Sequence, residues 1–211
     1  MKIRSILTAS AALFALVPLG HTVAAPATQT ADAAVDIVPS QLPRNAAPLH
    51  YAITVTPDAE KLTFDGNVRI EFMLKTPSDS VTLNAADIDF RTVTIAKGRA
   101  AALPVTTQVN AAAQTATLSF GQTLPAGRYT LFIDYAGKIL QQANGLFALD
   151  YKNPEGAEKR ALFTQFEAPD ARRFVPSWDE PIYKATFDLT AHVPSEHMAV
   201  SNMPVAARKE M

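Results

Sequence analysis

Glu167 and Gln165 are the side chains of this 211-residue sequence whose types and spacing best suit the recognition of a small cation. They flank Phe166 on a stretch that reads as extended, and residues two apart on a strand project from the same face. A carboxylate and an amide on one face can converge on a single ammonium group, where a charge-assisted hydrogen bond is stronger than a neutral one. As an isolated pair they would more often be surface polar residues of an edge strand.

Their surroundings favour the first reading. Residues 164–187 run T-Q-F-E-A-P-D-A-R-R-F-V-P-S-W-D-E-P-I-Y-K-A-T-F, far denser in charge and aromatic character than a loop that only connects strands. Asp170, Arg172, Arg173, Asp179 and Glu180 read as a structural ion-pair network that pins an irregular loop. Trp178, between Pro176 and Pro181, reads as a packing anchor. The histidines form no metal set: His50 begins a strand, and His192 falls on the polar side of a strand carrying Phe187, Leu189, Ala191 and Val193. His192 and His197, with Glu196, lack the helical spacing of a zinc pair, and Pro194 breaks any helix there. A Gly-rich phosphate loop, a G-x-S-x-G elbow and cysteine are all missing from the sequence.

The block resembles the signature of the aminopeptidase N family, the zinc-dependent gluzincin aminopeptidases that include leukotriene A4 hydrolase. That pattern is T-Q-F-E-x-x-D-A-R-R-x-F-P-x-W-D-E-P-x-x-K-A-x-F. Thr164, Gln165, Phe166, Glu167, Asp170, Ala171, Arg172, Arg173, Pro176, Trp178, Asp179, Glu180, Pro181, Lys184, Ala185 and Phe187 fill it with unbroken spacing. Phe174 and Val175 depart from it, standing where the family usually has a variable residue and then an aromatic. L-P-R-N-A-A-P-L-H-Y at 42–51, F-D-G-N-V at 64–68 and S-N-M-P at 201–204 look like further family segments.

The resemblance implies an all-β N-terminal domain of an enzyme that removes N-terminal residues from peptides. It implies that Glu167, together with the Glu of a G-A-M-E-N motif, binds the substrate's amino terminus, and that Gln165 lines the same pocket. It also implies Zn2+ in the parent enzyme, held by a H-E-x-x-H helix and a downstream Glu in a second, catalytic domain. Neither motif occurs before Met211. The expectation is therefore a domain incomplete at its C-terminal end and inactive alone, whose partners are a peptide N-terminus and the catalytic domain. A stand-alone secreted β-sandwich that binds peptides or proteins without cleaving them is the alternative.

The elements that must position these residues can be read from pattern. Lys2 and Arg4 precede an apolar run over 6–19 and small residues near Ala25 or Ala27, the layout of a cleavable leader over 1–27. The run is shorter than the ~20 residues a membrane span needs, so export to the periplasm or medium is expected, without stable membrane insertion. Residues 28–41, rich in Ala, Thr and Asp, read as a linker. A net charge of −1 with interspersed signs recommends neither nucleic acid nor an anionic membrane as partner.

From Leu42 onward, strand signals dominate. Tyr51, Ile53 and Val55 alternate with smaller or polar neighbours. Val68, Ile70, Phe72 and Leu74 alternate with Arg69, Glu71, Met73 and Lys75, a period of two. Asp65-Gly66 predicts a hairpin turn between these runs, and Pro125-Ala126-Gly127 predicts another turn. Further strands are expected at 81–83, 88–95, 105–109, 115–120, 129–135, 162–166 and 186–193. The fold class that follows is all-β, an antiparallel sandwich or saddle-like sheet over 42–211.

Overall fold

The computed structural model describes residues 42–210, and the expected leader and linker lie outside them. The alternation that marks 68–74 is what builds the core. Along β2 (Thr63–Leu74) the side chains of Val68, Ile70, Phe72 and Leu74 are fully buried, while Arg69, Glu71 and Met73 keep contact with solvent. Branched and aromatic residues on one face of a pleated strand pack against a second layer, and the polar face stays wet.

Ten further strands complete the fold: β1 (Ala46–Asp58), β3 (Ser78–Asn84), β4 (Asp89–Ala96), β5 (Leu103–Pro104), β6 (Thr106–Asn110), β7 (Thr115–Leu124), β8 (Gly127–Lys138), β9 (Gly145–Lys152), β10 (Glu158–Gln165) and β11 (Thr186–Ala191). They form a six-stranded sheet in the order β11-β1-β2-β8-β4-β5, a three-stranded sheet β3-β7-β6 and a ribbon β10-β9. Val81, Leu83, Leu118 and Phe120 from the smaller sheet join Tyr51, Phe64, Phe72, Leu131 and Tyr135 from the larger in one hydrophobic core. The Pro125-Ala126 turn passes the chain from one sheet to the other. Tyr129 secures it by donating from its hydroxyl to the Pro125 carbonyl, 2.9 Å away.

Three local expectations need correction. Asp65-Gly66 is no turn: both residues lie inside β2, opposite Thr56 and Val55. The chain reverses earlier, across 59–62, where Leu62 adopts φ 55° and Lys61 N donates to Asp58 Oδ1 at 2.9 Å. β9, apolar on both faces, shows no period of two and was not expected as a strand. β11 pairs with β1 in parallel, so the large sheet is mixed at that edge. A long connection over 166–185 returns the chain to that edge, which a tight hairpin cannot do.

Gly66 serves packing instead. It sits opposite Tyr135 on β8, and a Cβ there would lie 2.3 Å from the Cζ atom of that ring. The ring is fully buried, and its hydroxyl donates to the Phe174 carbonyl at 2.9 Å, so it has little room to yield. Gly66→Ala should therefore destabilise the domain by about 1–3 kcal/mol, the usual cost of overpacking. A urea midpoint equal to that of the parent sequence would show that the ring slides aside freely.

Candidate functional site

The block of 164–187 begins as a strand and ends as one, with an irregular, well-anchored segment between. β10 terminates at Gln165, which pairs with Gly145 at the start of β9. Glu167 follows in a turn over 167–170, closed by a hydrogen bond from Asp170 N to the Phe166 carbonyl at 3.0 Å. The paired strand on which strand alternation was expected to put Gln165 and Glu167 on one face ends at the first of them, so Glu167 stands outside the ladder. The turn, and not the pleat, directs Glu167. Both residues are exposed, and neither side chain has a hydrogen bond or ion pair among the described residues.

Asp170, Arg172, Arg173, Asp179 and Glu180 are engaged, as expected of a structural network. Arg172 is buried and reaches Asp179 Oδ2 through Nε at 2.9 Å, the Asp179 carbonyl through Nη2 at 3.1 Å and Gln114 Oε1 through Nη1 at 3.3 Å. Arg173 pairs with Asp170 Oδ1 at 2.7 Å and with Asp87. Asp170 Oδ2 accepts from Asn144 Nδ2 at 2.7 Å. Glu180 accepts from Leu42 N at 3.1 Å and lies 3.8 Å from Arg44.

Burial works to raise the Asp170 carboxyl, but the hydrogen bonds from Asn144 and Arg173, helped by the arginine charges, outweigh it and hold the group below the usual carboxylate range. A depressed carboxylate contributes stability above its unfolded-state range, and that contribution is lost as the pH falls through its folded value.

Packing fixes the rest of the segment. Trp178 is buried against Phe72, ring centroids 5.6 Å apart, and lies 6.4 Å from Tyr183. Its main-chain N–H donates to the Tyr51 hydroxyl at 3.1 Å. Burial pushes that phenol far above its ordinary value, so it stays neutral. Asn84, at the end of β3, exchanges main-chain hydrogen bonds with Ser177 and accepts from Asp179 N at 3.1 Å. Phe166 packs on Phe174 at 5.3 Å, seating the base of the Glu167 turn on the core.

Asn144, Gln114, Asp87 and Asn84 were missed in the sequence. They come from separate strand ends and turns, and no local pattern ties them to the block. The one available signal is the Asn144-Gly145 pair, which marks a sharp backbone position before β9. The histidines do not gather: His50 bonds Thr186 Oγ1 at 2.7 Å and lies 3.3 Å from Asp188, whereas His192 contacts Thr56. Among the described residues no group of three or more His, Asp or Glu is placed to hold a metal ion. The residues of 42–210 therefore do not fit a Zn2+ site.

Two β-sheets sharing a core, with a turn seated on that core at the end of a ribbon, define an all-β domain. Residues 47–211 match the Peptidase M1 N-terminal domain, and the chain belongs to that family. It is 42% identical over 165 residues to Aminopeptidase N of Acetobacter pasteurianus, covering 78% of this chain and 45% of that protein. It is 38% identical over 168 residues to Aminopeptidase M1-C of Oryza sativa subsp. japonica, covering 79% of this chain and 19% of that protein. Endoplasmic reticulum aminopeptidase 1 of Rattus norvegicus is 28% identical over 169 residues, with 78% and 18% covered. The chain thus spans less than half the length of these relatives.

Proposed function

We propose that this chain is the N-terminal, substrate-anchoring domain of an exported zinc-dependent aminopeptidase that removes N-terminal residues from peptides. One observation carries the reading: of the acids in the 164–187 block, Asp170, Asp179 and Glu180 are all engaged, and Glu167 alone is exposed with no side-chain partner among the described residues. A carboxylate held out on a seated turn, two residues beyond Gln165, suits the protonated amine that distinguishes a peptide's end from its interior. Family membership and the names of the relatives support the reaction class. The metal would be held by a catalytic domain outside residues 42–210. The positive and apolar pattern of 1–27 supports export to the periplasm or medium.

The test is Glu167→Ala in the full-length enzyme. Loss of a hydrogen bond to a charged group should cost roughly 1.5–3 kcal/mol. That appears as a fall in kcat/KM of about ten- to over a hundredfold on substrates with a free amino terminus. Bound zinc should be unchanged. Gln165→Ala should cost less, since it removes a neutral contact. Near-normal kinetics for Glu167→Ala would make the block purely structural and end the proposal.

A further inference from the structure

The geometry points to Asn144 as a positioning residue for the Glu167 carboxylate, acting through Asp170. This rests on Glu167 being the carboxylate that holds the substrate amine. An exposed turn closed by the single main-chain bond from Asp170 N to the Phe166 carbonyl would let Glu167 wander unless both ends of the turn were fixed. The near end is fixed by the last pair of the ribbon, Gln165 with Gly145. The far end is Asp170, whose carboxylate oxygens go to different places.

Asp170 Oδ1 takes Arg173 Nε at 2.7 Å, a residue three positions along the same segment that also pairs with Asp87, so that bond ties Asp170 toward the turn after β3 and not toward the ribbon. Asp170 Oδ2 takes Asn144 Nδ2 at 2.7 Å, and Asn144 directly precedes Gly145. The Asn144 amide therefore fastens the far end of the turn to the same strand start that holds the near end. Gln165, the turn, Asp170 and Asn144-Gly145 make a closed frame. Its tightness depends on Gly145, which adopts φ 62° and whose absent Cβ would lie 2.9 Å from Arg173 Cβ. With the frame closed, the separation between the Gln165 and Glu167 backbones is set before any substrate arrives. Binding groups that are held in place lose less freedom on binding, and displacement by ~1 Å can cost about a hundredfold.

Two measurements test this. In the chain itself, Asn144→Ala should speed hydrogen exchange of the Asp170 amide by about tenfold, as expected when one neutral-to-charged hydrogen bond is lost. Amides of the β2–β8 ladder should keep their rates. In the full-length enzyme, Asn144→Ala should raise KM by about tenfold with kcat changed less, and it should add nothing further when Glu167 is already alanine. Asn144→Asp keeps the size, replaces the donor by an acceptor facing Asp170, and should raise KM at least as much. An unchanged Asp170 amide would overturn the inference, as would a KM effect of equal size in the Glu167→Ala background. If Glu167→Ala is itself silent, the proposed function fails instead, and the exchange rate still decides whether Asn144 holds the turn.

Discussion

Trp178→Ala is expected to destabilise the domain by about 3–5 kcal/mol, the range for truncating a large buried aromatic. The indole is 4% exposed and fills the space between Phe72 on β2 and Tyr183 beyond the turn. Its removal leaves a cavity lined by residues that the β1–β2 and β2–β8 ladders hold in place, so collapse would be partial. The main-chain bond to the Tyr51 hydroxyl survives in principle, which confines the loss to packing. Trp178→Phe should recover part of it. Denaturant unfolding of the chain checks both substitutions, and a loss under about 1 kcal/mol for Trp178→Ala would mean the site collapses or floods. Under the proposed function, the same variant in the full-length enzyme should lose activity through stability, with bound zinc falling only as the protein unfolds.

Asp179→Ala should have an effect of similar size through a different force. It strips the buried Arg172 of its carboxylate partner at 2.9 Å, and an uncompensated buried charge costs about 3–5 kcal/mol. The guanidinium keeps the Asp179 carbonyl and Gln114 Oε1, so the lower end of that range is expected. Asp179→Asn, which retains an acceptor of the same size, should cost clearly less. If Asp179→Ala and Asp179→Asn shift the unfolding midpoint equally, charge is not what matters there, and solvent reaches the arginine. Removing both partners, Arg172→Met with Asp179→Ala, should be milder than Asp179→Ala alone, since no stranded charge remains.

Much of the site was legible in residues 164–187. Oppositely charged residues close in sequence can pair locally, and Arg172 with Asp179 and Arg173 with Asp170 do so. Trp178 between two prolines had few options other than burial, and it is buried. What could not be read was the direction of Glu167. Alternation applies only while the backbone stays extended, and the hydrogen bond from Asp170 N to Phe166 ends that condition at Gln165.

The amino-acid sequence by itself determined which faces of the strands are apolar, because a period of two is a property of one strand and its solvent. Val68, Ile70, Phe72 and Leu74 needed no knowledge of what covers them. It also determined the family, through the unbroken spacing of the block. Only the tertiary structure decided what each face meets: Gly66 belongs to Tyr135 and not to a turn, β11 runs parallel beside β1, and Asn144 donates to Asp170. These partners are far apart along the chain and are brought together by loop closure and core packing, whose outcome no local pattern of side chains encodes.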